Sequence, residues 1–502
     1  MARRQRVNAN WPRRRGEKIV VLLLCALAAL RVFIFAAAFP FFNNVDERRH
    51  LDLVIKYGSG HFPRGPELIS PATLPYLSHY ASPEFLAAPE SFEGGYYGPM
   101  WTHPAEEIAP TVAAIEEIWG RTPNQECSQP PLYYLAAGLW FDLGQLLGLN
   151  NGALLYWIRF LNVALILALV WLAYFTARKI FPEEMRMHLA DPLLVAFLPH
   201  DTFYGINNDV LSPICAGVML LCVLDWFGQD RHRLGLGIAT GSSIAAAYLT
   251  KLSNLPLIFV AAAAIAYWCY QARRSGKLGQ SIPALVALFI CAVVPIAAWI
   301  TWTKINFGDF TGSASKAQLL GWTAKSFSQW WPHPIFTAAG LSTFLSELIA
   351  SFWRGEFMWH AHMIGSKTMD LFYVFSSIAL FAVAVIALWR TQNHDLAQRR
   401  ALRIALASFI AAVAFLAFLS LQFDFGNCIN PSRARPYFFQ GRLMLGALIP
   451  FALVYVYGLD RLLRRWPGLL LPATSVIMIV IAVSDAFANR VAFFSAYNWF
   501  HM

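Results

Sequence analysis

Apolar residues along the chain fall in blocks close to the ~20 residues that carry a helix across the hydrocarbon core of a bilayer. The blocks predict spans at about 19–40, 153–177, 189–206, 207–227, 235–252, 254–271, 282–303, 370–390, 402–421, 441–459 and 467–485, eleven in all. A further apolar segment, 130–148, opens on Pro130 and Pro131 and is interrupted by Asp142 and Gln145, as in a helix lying on the membrane surface. Residues 1–18 hold seven basic residues and one acid, Glu17, which places this tail in the cytoplasm. With 130–148 on the surface, the loops holding Arg178 and Lys179, Arg231 and Arg233, Arg273, Arg274 and Lys277, Arg390, Arg399, Arg400 and Arg403, and Arg461, Arg464 and Arg465 all share that side. Counting 130–148 as a span would put them all outside.

The expected fold class is therefore an all-α polytopic membrane protein of about 11 transmembrane helices, with interfacial helices in the external loops. A basic cytoplasmic tail, 1–18, precedes a single transmembrane domain over 19–485. Its external regions are 41–152, 304–369 and 422–440, and a short external tail, 486–502, ends the chain. No internal repeat and no appended soluble domain is visible. The cytoplasmic loops are short, so function is expected at the external face.

Composition agrees. Apolar residues make up 57% of the 502 and charged residues 14%, against roughly 25% charged in an ordinary soluble protein, which excludes a soluble fold. The formal charge of +10 raises nucleic acid as a partner, yet membrane orientation accounts better for the basic residues. The seven cysteines show no CxxC and no metal spacing. Cys25, Cys215, Cys222, Cys269 and Cys291 lie in apolar blocks as small core residues, and only Cys127 and Cys428 fall in external loops, where they either pair or stand as free thiols. The second external region carries Trp322, Trp330, Trp331, Trp353 and Trp359, which fit an interfacial aromatic belt or a sugar-stacking surface.

Several external positions carry candidate chemistry. NNVDERRHLDLV, residues 43–54, reads as the start of a short helix capped by Asn44, with Glu47 in a capping-box role. Asp46 shares a face with Arg49 and His50 at i+3 and i+4, an arrangement suited to a general base that takes a proton from a hydroxyl. SQPPLYYL, residues 128–135, brings Tyr133 to the entry of the interfacial helix, and GINNDVL places Asn207, Asn208 and Asp209 at an outer turn. Lys251 sits at the outer end of a span, either snorkelling or serving a ligand. Arg442 follows Gln440 and Gly441 into the penultimate span, where a guanidinium calls for an anionic partner such as a lipid phosphate. Arg31, midway through the first span, also needs a buried partner.

Taken in order, Asp46, Glu47 and His50 as DE-x-x-H, QPPLYYL, the NND turn, the Lys251 segment and the QGR of Gln440, Gly441 and Arg442 resemble the GT-C class of integral-membrane glycosyltransferases, in particular a bacterial family with this acidic signature after the first helix. The likeness spans about residues 19–460, although Leu443 follows QGR where that family has an aromatic residue. The resemblance implies a sugar donor on a polyprenyl phosphate, a glycan, lipid or protein acceptor, an inverting transfer, and a site on the external face of the bacterial plasma membrane. It implies Asp46 as base with Glu47 as its understudy, His50 orienting the carboxylate or touching the acceptor, and Lys251, Gln440 and Arg442 at the donor phosphate. Arg49, Tyr133, Asn207, Asn208 and Asp209 are weaker candidates for substrate contact. No cofactor is expected. A divalent metal on Asp46, Glu47 and Asp209 is disfavoured, because the nearby cations already suit a phosphate. A transporter or lipid flippase is the main alternative and a structural subunit the third. The unusual residues gather at one face rather than at the bilayer midplane, which favours the enzyme.

Overall fold

The computed structural model describes residues 11–198, 201–228, 232–390, 396–428 and 430–502. Most of the basic tail expected over 1–18, part of the span expected at 189–206, and Arg231 lie outside the described residues. Seventeen α-helices are present among them, with only two-stranded scraps of sheet. The first eight are α1 Trp11–Ala38, α2 Glu47–Gly58, α3 Leu74–Tyr80, α4 Ala105–Gly120, α5 Leu132–Leu146, α6 Asn151–Ile180, α7 Met185–Val195 and α8 Ser212–Gly228. There follow α9 Leu234–Thr250, α10 Leu255–Arg274, α11 Ile282–Phe307, α12 Ser313–Leu319, α13 Ala338–Arg354, α14 Lys367–Arg390, α15 Leu396–Gln422, α16 Leu448–Leu462 and α17 Leu470–Phe494. The chain is an all-α polytopic membrane protein.

Among the described residues nine helices are long and apolar enough to cross a membrane: α1, α6, α8, α10, α11, α14, α15, α16 and α17, some counted with the short 3-10 turns that lead into them. Two expected spans take a different form. α9 has 17 residues, roughly 25 Å of helix. α7 has only 11, about 16 Å, and contains Pro192. It nevertheless begins beside the start of α1, where His188 meets Glu17 at 3.4 Å. The chain continues through a turn at Phe197 to a 3-10 turn at Asp201–Tyr204, and the Asp201 carbonyl accepts from Asn44 beyond the far end of α1. This crossing is a broken helix, and the carbonyl freed at the break, on Phe197, accepts from Arg31 at 2.9 Å. The remaining partner of Arg31 is Asp485 on α17, 3.9 Å away and itself bonded to the Tyr204 hydroxyl.

α5 does not cross. Tyr134 near its start bonds to His50, and Trp140 in its second half exchanges indole hydrogen bonds of 2.7 Å with Trp157, nearly two turns into α6. Both ends of α5 therefore lie at the end of the bundle that holds α2, and Leu139, Leu143, Leu146 and Leu147 are left facing outward as in an interfacial helix. The tail expected over 486–502 is packed structure. α17 runs on to Phe494, Tyr497 and Asn498 are buried, and Trp499 rests on Phe33, Tyr156 and Phe160. α16 occupies the centre of the bundle, with every residue from Leu448 to Asp460 buried.

Candidate functional site

α1 ends at Ala38 because Pro40 cannot extend it, which leaves carbonyls of its last turn unpaired. Arg159 of α6, fully buried, supplies the donors: its guanidinium bonds the carbonyls of Ala36, Phe39 and Pro40 and lies over the Phe41 ring. The same guanidinium pairs bidentately with Glu47 at 2.8 Å on both oxygens, and that carboxylate also accepts from the backbone N–H of Phe42 and Ile206. Glu47 is thus sealed among these partners, and its carboxylate makes no capping-box bond. Asn44 does not cap α2 either, since its amide turns to Asp201. The N-cap position belongs to Asp46.

Asp46 holds a left-handed backbone, φ 62°, a conformation that Asp and Asn tolerate better than other side chains. Its carboxylate makes no capping bond. Oδ1 accepts from Arg49 and Gln125, each at 3.3 Å, and Oδ2 meets Arg442 Nη2 at 3.3 Å. Arg442 spreads its three nitrogens over three carboxylates: Nη2 on Asp46, Nη1 on Asp209 at 3.2 Å and Nε 3.4 Å from Glu356. Asp209 is fully buried and also pairs with Lys251. The four segments singled out by their charged residues therefore converge on one cluster.

Two glycines build the far wall. A Cβ at Gly441 would run into the Phe352 backbone, and the Gly441 N–H instead reaches the Ser351 hydroxyl at 2.9 Å, which locks the entry to α16 against α13. Gly355, φ 79°, then turns the chain out of α13 so that the Glu356 N–H donates to Asp201 and its carboxylate faces Arg442. Burial pushes the Glu356 carboxyl up to about 7, with Asp201 and Asp209 adding to the rise against Arg442's opposing pull. Glu356 was not apparent from the sequence. It lies in the tryptophan-rich stretch, and no local spacing ties it to Arg442.

A polar layer backs the cluster. Glu126 accepts from Lys316 and Gln129, each at 2.6 Å, and Gln129 accepts from Asn208. Burial alone would raise the Glu126 carboxyl, but Lys316 and His50 hold it well below the usual carboxylate range. His50 is buried, and its Nδ1 meets the Tyr134 hydroxyl at 2.8 Å rather than Asp46. Burial brings the imidazole down to about 4, so it is neutral at ordinary pH. Tyr133 lies beside Tyr134 and against the Asn207 backbone N–H, and Asn207 caps the turn into α8 by accepting from Asp209 N. Gln440 caps the entry to α16, with its Oε1 buried and unbonded. Four carboxylates, Asp46, Asp209, Glu126 and Glu356, are matched by four cations, Arg49, Lys251, Lys316 and Arg442. Among the described residues no group of three or more His, Cys, Asp or Glu side chains is placed to hold a metal ion.

Cys127 and Cys428 are both free thiols. Cys127 is buried with its sulfur toward the Glu67 carbonyl, and the Cys428 sulfur lies by the Asn430 carbonyl. Of the five tryptophans weighed for sugar stacking, Trp353 is buried and stacks on Tyr373, and Trp359 is nearly so, whereas Trp331 is exposed.

Residues 30–429 match the family model DUF2142, described as a predicted membrane protein. No curated protein matches the chain. Among solved structures the chain is similar to ArnT from Cupriavidus metallidurans, whose crystal structure has it bound to undecaprenyl phosphate. The identity is 13% and the TM-score 0.32, over 88% of this chain and 78% of that one.

Proposed function

This chain belongs to the DUF2142 family of predicted membrane proteins, and we propose that it is a membrane glycosyltransferase that moves a sugar from a polyprenyl-phosphate donor to an acceptor hydroxyl at the membrane surface. The observation that carries the reading is the contact of Asp46 with Arg442, in a cluster completed by Asp209 and Lys251. A carboxylate suited to proton abstraction and a fixed guanidinium suited to phosphate lie in hydrogen-bond contact, partly open to solvent, at one end of the bundle.

In this reading the donor phosphate competes with Asp46 and Glu356 for Arg442, and its arrival frees Asp46 to act. Asp46 takes the proton of the acceptor hydroxyl as the acceptor oxygen bonds to the anomeric carbon. The anomeric carbon–oxygen bond to phosphate breaks, and the electron pair leaves on a phosphate held by Arg442, with Lys251 behind it through Asp209. Neutral His50 and Tyr134 set the back wall and add no further positive charge to the two, Arg49 and Arg442, that already contact Asp46.

The test uses purified protein in lipid nanodiscs with a labelled polyprenyl-phosphate sugar. Release of polyprenyl phosphate by the parent protein, its loss in Asp46→Asn, and retained donor binding in that variant are expected. Polyprenyl phosphate binding that is indifferent to Arg442→Ala would overturn the reading.

A second reading, a transporter or flippase, draws on the broken crossing Met185–Tyr204 and on Arg31, Asp485 and Tyr204 buried along it, since polar groups and interrupted helices at mid-depth mark transport sites. Lipid or sugar flux in proteoliposomes without chemical turnover would favour it.

A further inference from the structure

A second cavity, of about 410 Å³, opens between the first long polar region, the hairpin after α13 and the end of α17. Glu84, Tyr96, Trp359, His360, Arg490 and Phe494 line it. Its inner wall carries a charge. Glu84 is 6% exposed, and its Oε2 takes both the Ser82 and the Ser495 hydroxyls, at 2.8 and 2.5 Å, while Oε1 takes no hydrogen bond among the described residues. Among the described residues no cation pairs with it there, and burial raises its carboxyl. A buried carboxylate with one oxygen spare, flanked by the rings of Trp359 and Tyr96, is chemistry that receives an ammonium group.

The outer wall carries the opposite charge. Arg490 is exposed near the end of α17, with its guanidinium over the Phe487 ring, and it makes no ion pair among the described residues. Phe487 and Phe494, 65% and 85% exposed, flank it at i−3 and i+4 on a face that continues through exposed Val483, Ile479 and Val476. That face is apolar over several turns, so it is the side of α17 turned to lipid, and Arg490 stands where it ends. A guanidinium at that boundary meets phosphates of the bilayer surface.

We propose that this cavity binds the headgroup of an aminophospholipid, with the phosphate on Arg490 and the primary ammonium on Glu84. Arg490 and Glu84 line one cavity without pairing with each other, which leaves the space between them for a zwitterion whose two charges match theirs in order, phosphate outside and amine inside. A purely anionic headgroup would satisfy Arg490 and leave Glu84 unmatched. A neutral saccharide would leave the guanidinium unmatched. The site is separate from the Asp46–Arg442 cluster and does not depend on the reading given to that cluster.

The test titrates the full-length protein in detergent with short-chain phosphatidylethanolamine and, separately, phosphatidylglycerol, and follows the unfolding midpoint. Phosphatidylethanolamine is expected to bind about tenfold more tightly than phosphatidylglycerol. Glu84→Gln should erase that preference, and Arg490→Ala should weaken both lipids by about tenfold. Arg490 is exposed, so its variant reports on binding even where Glu84→Gln does not fold. Equal affinity of the parent protein for the two lipids would overturn the proposal, as would unchanged phosphatidylethanolamine binding in Arg490→Ala. A soluble oligosaccharide that raises the midpoint where phosphatidylethanolamine does not would also overturn it and assign the cavity to sugar.

Discussion

Asp46 and Arg442 stand 396 positions apart in the chain and touch at 3.3 Å, so the turn that follows the first span and the entry to the penultimate one are halves of a single site. Each half is held by its own scaffold. Arg159 and Glu47 fix the turn, and Gly441 against Phe352 fixes the entry. The contact is thus a property of the packed bundle rather than of either segment.

Asp46→Asn should lower sugar transfer by ~10²–10⁴-fold, the usual share of a general base. Asn accepts the same left-handed backbone and keeps one oxygen for Arg49 or Arg442, so the unfolding midpoint should hardly move. Turnover and thermal unfolding on the same preparation separate the two effects. A variant that unfolds early would mean that Asp46 serves the fold.

Glu47→Gln should act in the opposite manner. It leaves the Arg159 guanidinium buried with no countercharge, a change that costs about 3–5 kcal/mol in comparable pairs. Expression yield and unfolding midpoint should fall together, with the protein that does fold retaining its turnover per molecule. Normal stability with lost turnover would return Glu47 to the chemistry.

Much of this was legible in the sequence because the bilayer dictates so much. The apolar blocks, the surface helix at 132–146, and the charged residues Asp46, Asp209, Lys251 and Arg442 at the polar ends of spans each carry a local signal. Partners did not. Lys316 reaches Glu126 across 190 positions and Glu356 reaches Arg442 from a stretch that reads as an aromatic belt, so their meeting rests on helix packing that no short spacing encodes. Arg159 was within reach, since the reasoning that demands a buried partner for Arg31 applies equally to an arginine within the 153–177 block. The break in the crossing after α7 had a local signal in Pro192 and Pro199 that the apolar residues around them masked, and the burial of Phe197 and its neighbours within protein allows the backbone to leave the helix there.

The pH response should have two opposed parts. Glu356 is raised from 4.5 to about 7 in the fold, so it binds its proton more tightly when folded, and its contribution to stability is lost as pH rises from about 4.5 to 7. His50 is lowered from 6.5 to about 4, so its contribution is present above 6.5 and is lost as pH falls toward 4. Glu356→Gln should remove the first slope and His50→Gln the second, as read from unfolding midpoints between pH 4 and 8. The same Glu356 proton should favour donor binding as pH falls through about 7, because a neutral Glu356 no longer competes for Arg442.

Thiol labelling checks the state of Cys127 and Cys428. Burial pushes the Cys127 thiol up to about 11, which makes it a poor nucleophile, whereas Cys428 is half-exposed. Maleimide on folded protein should mark Cys428 and spare Cys127, and denaturation without reductant should expose Cys127 to label as well. Resistance of both until reductant is added would reveal a bridge.

Arg442 offers the sharpest discrimination, because the phosphate and the carboxylates compete for one fork. Arg442→Ala removes the cation that touches Asp46, Asp209 and Glu356 together, leaving Asp209 to Lys251 and Asp46 to Arg49. Polyprenyl phosphate affinity should fall by ~10–100-fold, in line with the loss of a charge-assisted bond or two. Arg442→Lys keeps the charge but makes a single point contact, so it should recover part of the affinity and little of the turnover, since a lysine cannot hold the leaving phosphate and leave Asp46 free at once. Lys251 reaches the cluster through buried Asp209, so Lys251→Met should weaken the donor less than Arg442→Ala and should destabilise the fold more, by taking from fully buried Asp209 its more deeply buried cation and leaving it to Arg442 alone. Donor titration and unfolding of the three variants in parallel give the order directly. A stronger effect of Lys251 than of Arg442 on affinity would move the phosphate site deeper into the bundle.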